Sequence, residues 1–222
     1  MRCHTGSLVE TGTLTFSGSN SSFVNRAPGV FTLQGKVDIA SASLDNVFRN
    51  AGHVIKTGGS VSTISSALFN TGVVEVASGR LILTGDVGGK GTLQIDANQT
   101  LQIDGAVANP QTVAFSNGKE TLVLNDAVAF DGRLSDFGAG DRLDFAKFDL
   151  STATIGFSEN KAGTSGRLTI SDATHHADIL LLGQYAASSF HLSADGQGGT
   201  LVTYTPPPET GLQLAVHAAT ER

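Results

Sequence analysis

Residues 73–103 read VVEVASGRLILTGDVGGKGTLQIDANQTLQI and contain four short segments in which apolar residues alternate with other residues. The alternating pairs are Val74 and Val76, Leu81 and Leu83, Leu93 and Ile95, and Leu101 and Ile103. Residues two apart point to the same face of a β-strand, so each segment predicts a strand with one buried face. Turn residues stand between the strands, as in Ala77-Ser78-Gly79 and Asp96-Ala97-Asn98.

Outward from this stretch, the alternation continues to Phe145 and falls into two interleaved series. The first series is Val74, Leu93, Val113 and Leu134, and the second is Leu81, Leu101, Leu122 and Leu143. Successive members lie 19, 20 and 21 residues apart in the first series and 20, 21 and 21 apart in the second. A fixed step of this size is typical of a solenoid, in which each coil buries its inward face only by stacking on neighbours. We therefore predict an all-β fold, a parallel β-helix (β-solenoid) with coils of about 20 residues.

Upstream of Val74 the repeat loosens, but a related signature recurs. Its three copies are Phe23-Val24-Asn25 with Gly29, Phe48-Arg49-Asn50 with Gly52, and Phe69-Asn70 with Gly72. We interpret the three Phe residues as stacked core residues, and Asn and Gly as the residues that turn the corner of each coil. Hairpin turns in a β-sandwich are the alternative for this region.

After residue 150 the pattern changes to a different set of β elements. The predicted elements are strands at 168–172 and 177–182, one helical turn within 184–190, and a hairpin over 191–204 connected by Asp195-Gly196-Gln197-Gly198-Gly199. We expect these strands to cover the open edge of the solenoid. The predicted organisation is a β-solenoid over 1–150, a C-terminal β cap over 151–205 and a Pro-led tail over 206–222.

Composition and charge restrict the classes of function. A hydrophobic content of 40% is enough for a sizeable core, and the net charge of −6 without a Lys or Arg cluster argues against a nucleic-acid partner. No apolar run approaches the roughly 20 residues of a membrane span. Cys3 is the only cysteine, so no intrachain disulfide forms. The chain starts inside the strand pattern without a signal-peptide stretch, so we expect a fragment of a longer protein.

The run from Asn70 to Leu124, which includes Gly91-Thr92-Leu93, resembles the β-helical passenger repeats of autotransporters and other large bacterial surface proteins. Residues 130–137 (FDGRLSDF) and 140–144 (GDRLD) resemble a segment near the end of such repeats and of RTX-type, type I secreted proteins. Residues 168–204 are similar to the C-terminal segments of that group. Together these resemblances cover residues 67–204 and imply export to a cell-surface or extracellular location in a bacterium.

A series of aspartates gives the strongest local charge signal. Its members are Asp126, Asp131, Asp136, Asp141, Asp144 and Asp149. Calcium binds such carboxylates, but Gly138-Ala139-Gly140-Asp141 departs from the Gly-x-Gly-x-Asp turn of RTX coils because Asp directly follows the second Gly. We interpret the series as a solvated turn surface, neutralised in part by Arg133, Arg142 and Lys147, with a calcium site as the alternative. No cofactor is assigned.

Other constellations give no catalytic or metal assignment. The pair His175-His176 lies in a predicted turn, where neighbouring side chains point apart and chelate one metal poorly. Asp96 and Asp104 follow successive strands, and neither has an acid partner at the same height. Cys3 with His4 lies at the terminus, and the Gly-rich residues 85–91 lack the following Lys-Ser/Thr of a phosphate loop.

These observations favour a non-catalytic structural or adhesive module of a secreted or cell-surface bacterial protein. Surface glycans or other cell-surface proteins are the expected partners, and we expect neither a nucleic-acid partner nor enzyme activity. Two alternatives stay open. One is the non-catalytic end of a β-helix enzyme that acts on polysaccharides, and the other is a calcium-dependent secretion or folding module.

Overall fold

The computed structural model describes residues 2–208 of the chain, and its strands pair in three sheets. Numbered in chain order, the first sheet contains β1 (Arg2–His4), β4 (Ser22–Asn25), β7 (Val47–Asn50), β10 (Ala67–Asn70) and β13 (Val87–Gly89). The second sheet contains β2 (Ser7–Glu10), β5 (Val30–Gln34), β8 (His53–Thr57), β11 (Val73–Val76), β14 (Thr92–Ile95), β16 (Thr112–Phe115), β18 (Arg133–Ser135), β22 (His176–Leu182), β21 (Ser165–Ser171) and β20 (Thr154–Glu159). The third sheet contains β3 (Thr13–Phe16), β6 (Asp38–Ser41), β9 (Val61–Ile64), β12 (Arg80–Leu83), β15 (Thr100–Ile103), β17 (Thr121–Leu124), β19 (Arg142–Phe145), β24 (Thr200–Tyr204) and β23 (Phe190–Ala194).

The chain winds through the three sheets in turn and forms a parallel β-solenoid of about seven coils, spaced about 21 residues apart. Strand register confirms both predicted series. In the second sheet Val74, Leu93, Val113 and Leu134 pair in succession, and in the third sheet Leu81, Leu101, Leu122 and Leu143 do the same. The predicted all-β solenoid is therefore correct.

The core is a stack of inward-facing side chains, one layer per coil. All four leucines of the third-sheet series are fully buried. Burial of one such side chain contributes about 1.5–3 kcal/mol, and each needs the coils above and below to exclude water from it. Stacking of coils, and not the local structure of one coil, therefore stabilises the fold.

The coils before residue 67 follow the same plan with longer steps, which excludes the β-sandwich alternative. Phe23 pairs in register with Phe48, 25 residues later, and both lie in the core. Phe48 then pairs with Leu68 and not with Phe69. The prediction that Phe69 is a core residue is wrong, because Asn70 faces inward and strand alternation turns Phe69 outward, where it is 44% exposed. Its ring lies 5.4 Å from the Arg49 guanidinium carbon.

Asn25, Asn50 and Asn70 end three successive strands of the first sheet, and we call this buried stack the asparagine corner. Nδ2 of Asn25 donates to Oδ1 of Asn50 over 2.9 Å, and Nδ2 of Asn50 donates to Oδ1 of Asn70 over 2.8 Å. Nδ2 of Asn50 also donates to the carbonyl of Val73 in the next coil over 2.9 Å. A carboxamide both donates and accepts, so identical side chains satisfy one another as coils stack. The predicted role of Asn at these corners is confirmed.

The C-terminal strands close the other end of the solenoid. β22 pairs in parallel with β18, and β24 pairs antiparallel with β19, so the last coil is covered in both the second and the third sheet. The predicted strands and hairpin are confirmed, whereas β20 was not predicted. The two 3-10 helices are Ala127–Ala129 and Ala187–Ser189, the second within the predicted helical turn. The predicted tail over 206–222 lies outside the described residues except for 206–208.

Candidate functional site

A groove on the outer face of the third sheet is the main candidate site, and we call it the cap groove because the C-terminal strands form one of its walls. Its volume is about 450 Å³. Its floor comes from outward side chains of four successive coils, and its wall from the β23–β24 hairpin. The lining residues are Arg80, Thr100, Gln102, Thr121, Val123, Asn125, Arg142, Asp144, Ala146, Asp195, Gln197 and Leu201.

Strand register sets the floor of the cap groove in columns. Arg80, Thr100, Thr121 and Arg142 pair in succession and form one column, and Ile82, Gln102, Val123 and Asp144 form the next. Stacked strands are about 4.8 Å apart, so each column presents one side chain per coil at that interval. The floor therefore runs along the solenoid axis. Arg80 lies at one end of the first column, and Asp144 lies at the opposite end of the second column.

Asp144 is the most buried charged residue of the cap groove, with 8% of its surface exposed. Its Oδ1 atom is inaccessible to water and has no hydrogen-bond partner within residues 2–208. Burial raises the pKa of Asp144 to about 6, and Asp195 adds to the rise while Arg80 opposes it. An unpaired buried carboxylate is destabilising, which makes Asp144 a candidate binding group.

The floor beside Asp144 carries a chain of polar contacts. The Arg80 guanidinium donates to Gln102, and Nε2 of Gln102 donates to Asp104 over 2.6 Å. Asn125 also donates to Asp104. Nε of Arg80 is buried and has no partner in the described part of the chain. Both unpaired atoms, Nε of Arg80 and Oδ1 of Asp144, lie beneath the surface of the groove, and the rest of each side chain lines it.

The hairpin wall of the cap groove is fixed by its own loop. Oδ1 of Asp195 accepts from the main-chain amides of Gln197, over 2.6 Å, and Gly199, over 2.8 Å. A Cβ on Gly199 would lie 2.9 Å from the carbonyl oxygen of Phe145, so only glycine lets the loop approach the end of β19 this closely. The predicted Gly-rich turn therefore forms one edge of the groove.

A second polar cluster lies inside the corner between the second and third sheets, where Glu120 and Asp141 directly precede β17 and β19. We call it the acid corner. Glu120 is fully buried and Asp141 is 2% exposed. Asp141 accepts from the amides of Glu120, over 3.1 Å, and Gly138, over 2.7 Å. Both carboxylate oxygens of Glu120 lack a hydrogen-bond partner within residues 2–208.

The isolation of Glu120 follows from the coil before it. Gln99, Glu120 and Asp141 occupy the same position in successive coils, and Gln99 and Asp141 each accept from a main-chain amide one coil earlier. The amide that Glu120 would use belongs to Gln99 and already donates to the Asp96 carbonyl over 2.9 Å. Burial raises the pKa of Glu120 to about 7, and the neighbouring Asp141 carboxylate adds to the rise.

The aspartate series does not form one surface. Asp126, Asp131, Asp136 and Asp149 are exposed, whereas Asp141 and Asp144 are buried. The interpretation as a solvated turn surface is therefore wrong for the last two, because each directly flanks or occupies the buried strand β19. No ion pair within residues 2–208 joins the series to Arg133, Arg142 or Lys147.

Asp96 and Asp104 lie on different faces of the solenoid. Asp96 follows a strand of the second sheet and accepts from Nε2 of Gln94 over 2.8 Å. The pKa of half-buried Glu75 is raised first by its partial burial and then by the nearby Asp96 carboxylate. Asp104 follows a strand of the third sheet and belongs to the floor network of the cap groove. The two aspartates therefore do not form a common site.

The two adjacent histidines have separate surroundings. Nδ1 of His175 lies 3.1 Å from Asp172, whereas Nδ1 of His176 lies 2.8 Å from the hydroxyl of Ser171. Burial opposes ionisation of Asp172, but main-chain amides and His175 outweigh it and hold its pKa well below the usual range. Over the described residues, no group of three or more His, Cys, Asp or Glu side chains is arranged to hold a metal ion.

Sequence analysis singled out neither Arg80 nor Glu120. Both stand next to strands that the periodicity identified, and Arg80 directly precedes the buried Leu81. Counting the coil step from Arg80 gives Thr100, Thr121 and Arg142, which would have revealed the column of polar residues. For Glu120, the sequence signal is that it lies one coil step before Asp141, so the two acids stack in successive coils.

None of the described helices has the length and apolar composition needed to cross a bilayer. Comparison with protein-family models and with curated proteins gave no match to this chain.

Proposed function

We propose that this chain is a non-catalytic structural and adhesive module of a secreted or cell-surface bacterial protein, with surface glycans or other cell-surface proteins as partners. Its main support is the register of the third sheet, which repeats outward polar side chains once per coil. Thr100 and Thr121 stand in one column between Arg80 and Arg142. Such a wall offers hydroxyl and guanidinium groups at one-coil intervals to a repetitive surface.

Repetition of weak contacts is the physical basis of adhesion in this proposal. One exposed hydroxyl or guanidinium contact contributes little, because water competes for it. Contacts along one rigid body act at a high effective concentration, so several weak sites together give strong attachment. The stacked core keeps the wall rigid and limits the conformational entropy lost on binding.

The cellular setting in this proposal comes from resemblance. The repeats at 70–124 resemble autotransporter passengers, and the segments at 130–145 and 168–204 resemble RTX-type secreted proteins. On this basis we propose export to the cell surface or the medium. We propose no cofactor for the module. Fractionation of the native host with an antibody against the chain tests the proposed export, and a signal confined to the cytoplasmic fraction contradicts it.

Removal of one coil tests the adhesive role. Deletion of residues 54–73 joins His53 to Val74, which occupies the position of Val54 one coil later, so the stacking register is kept. The deletion removes outward Thr63 of the third sheet from the wall and leaves the cap groove intact, because the groove residues begin at Arg80. We expect graded weakening of attachment to glycan-coated beads, with a retained cooperative unfolding transition. Unchanged attachment of the shortened chain contradicts the role of the wall.

A second candidate function is hydrolysis of a glycosidic bond, because the cap groove contains two carboxyl groups in different surroundings. Burial raises the pKa of Asp144 to about 6, as suits a general acid. Oδ1 of Asp195, however, is occupied by two amides of its own loop. We therefore favour binding without turnover, and release of new reducing ends from a polysaccharide would favour the enzyme instead.

A further inference from the structure

We propose that the cap groove binds a neutral oligosaccharide along the solenoid axis, with a sugar hydroxyl donating to Asp144 and another sugar oxygen accepting from Arg80. This inference rests on the proposed adhesive function and names its ligand class. The volume of about 450 Å³ falls within the usual range for small-ligand sites, about 300–1,000 Å³.

Asp144 and Arg80 select a ligand that both donates and accepts. The Asp144 carboxylate and the Arg80 guanidinium both line the groove, so a ligand there meets an acceptor at Asp144 and donors at Arg80. A hydroxyl group has one donor and two acceptor sites, so a polyhydroxylated ligand satisfies both groups. A simple anion would satisfy Arg80 and leave Asp144 unpaired.

The length of the groove favours a chain of sugars over a single ring. Arg80 stands on β12 and Asp144 on β19, three coils further along the third sheet. At about 4.8 Å per coil, the two backbone positions are about 14 Å apart. Between them Thr100, Gln102 and Thr121 present further hydroxyl and amide groups. A ligand that spans the groove therefore crosses several strands.

The charges of the groove favour a neutral ligand. Arg80 and Arg142 balance Asp144 and Asp195, and the amide side chains of the floor carry no charge. Apolar atoms come from Val123 and Leu201, which suit the CH faces of sugar rings better than they suit a large hydrophobic group. An oligogalacturonate carries a carboxylate on every ring, so a chain that reaches Asp144 places negative charge beside the two aspartates, which is unfavourable.

A peptide fits this groove less well. The strands of the floor are hydrogen-bonded on both edges, so the third sheet offers no free edge here for an added strand. The lining also has no aromatic residue and no deep apolar pocket for a peptide side chain. Peptide recognition by strand addition or by an anchoring side chain therefore lacks its usual support.

Asp144→Asn tests the inference, because it preserves the shape of the side chain and removes its charge. Calorimetric titration at pH 7.5 would use short neutral oligosaccharides of glucose or galactose, oligogalacturonates of the same length, and a Ser- and Thr-rich peptide. We expect a neutral oligosaccharide to bind, and Asp144→Asn to bind it at least about tenfold more weakly. Arg80→Gln is the second variant and should weaken binding in the same direction.

Asp38→Asn is the matched control, since Asp38 lies in the same outward column as Asp144 but outside the groove. Its affinity should equal that of the parent chain. Asp144→Asn should also resist urea at least as well as the parent at pH 7.5, because it removes a buried charge. A structural role for Asp144 predicts the opposite, with lower stability.

Three results overturn the inference: equal affinity of Asp144→Asn and the parent, binding of oligogalacturonates alone, and binding of the peptide alone. The coil deletion separates this failure from failure of the adhesive role. If the parent attaches to glycan beads and Asp144→Asn attaches equally, the wall binds and the groove does not. Shortening of the oligosaccharide during titration contradicts binding without turnover.

Discussion

The asparagine corner and the acid corner solve the same packing problem with different results. Each places polar side chains of successive coils above one another, away from water. Asn50 donates to Asn70 over 2.8 Å and accepts from Asn25 over 2.9 Å. Glu120 has no partner for either oxygen within residues 2–208, although Asp141 lies next to it in the following coil. Stacking therefore satisfies the amides and leaves the acid unpaired.

The difference lies in the chemistry of the stacked groups. A carboxamide carries a donor and an acceptor, so a column of identical amides continues through any number of coils. An ionised carboxylate only accepts, so two of them repel unless one takes a proton. The raised pKa of Glu120, about 7, is the consequence of burial next to Asp141. A solenoid thus tolerates buried amides at its corners but makes buried acids dependent on pH.

Gly72→Ala should break the asparagine corner and have the largest effect on stability. A Cβ at this position would overlap the carbonyl oxygen of Gly52, which accepts from the amide of Val73 over 3.0 Å. The coils would have to separate locally, which costs more than about 3 kcal/mol. Urea unfolding measures the change. Gly59→Ala is the control, because its Cβ would meet no atom within 4 Å, and equal losses in the two variants contradict this explanation.

Asn50→Asp converts the middle of the asparagine corner into a small acid corner. The donors to Asn70 and Val73 are lost, and the new carboxylate oxygen faces two acceptors. We expect a loss of about 2–3 kcal/mol at pH 7.5, with partial recovery at pH 5, where protonation restores a donor. The exposed Asn117→Asp is the control and should change stability by less than about 0.5 kcal/mol. A loss independent of pH would count against the missing donor as its cause.

The sequence predicted the coils between residues 73 and 145 well because the core there repeats with an almost constant step. Leu81, Leu101, Leu122 and Leu143 are buried for the same reason and pair in register. The prediction was wrong at Phe69, because residue type alone placed an aromatic residue in the core. Its neighbour Asn70 occupies the inward position because it belongs to the asparagine corner. The periodicity of apolar residues does not reveal this buried polar stack.

The candidate site was less predictable, because its residues meet across coils. Asp144 was recognised only as one member of an acidic series, and in the fold it pairs with Leu201 of β24, more than 50 residues along the chain. Arg80 stands three coils away from Asp144. The coil step in the sequence predicts which column of the solenoid a residue belongs to. It does not predict which C-terminal strand packs over that residue.

Glu120→Gln should turn the acid corner into a satisfied one. In the folded protein Glu120 keeps its proton up to about pH 7, whereas in the unfolded chain it loses it near pH 4.5. The folded state therefore binds more protons within this window, and the free energy of unfolding falls as the pH rises through it. The free energy of unfolding of the variant does not fall for this reason, and the glutamine side-chain amide can donate to Asp141. We expect it to be about 2 kcal/mol more stable than the parent at pH 8 and nearly equal at pH 5.

Urea unfolding at intervals between pH 5 and pH 8 measures this effect. A smaller slope should persist in Glu120→Gln below about pH 6, because the raised pKa of Asp144 acts in the same direction between 3.8 and about 6. The exposed Glu159→Gln is the matched control and should keep the full pH dependence of the parent. If Glu120→Gln also keeps it, the proton is not held at the acid corner. The solenoid would then tolerate stacked acids as readily as stacked amides. This result would contradict the proposed difference between the acid corner and the asparagine corner.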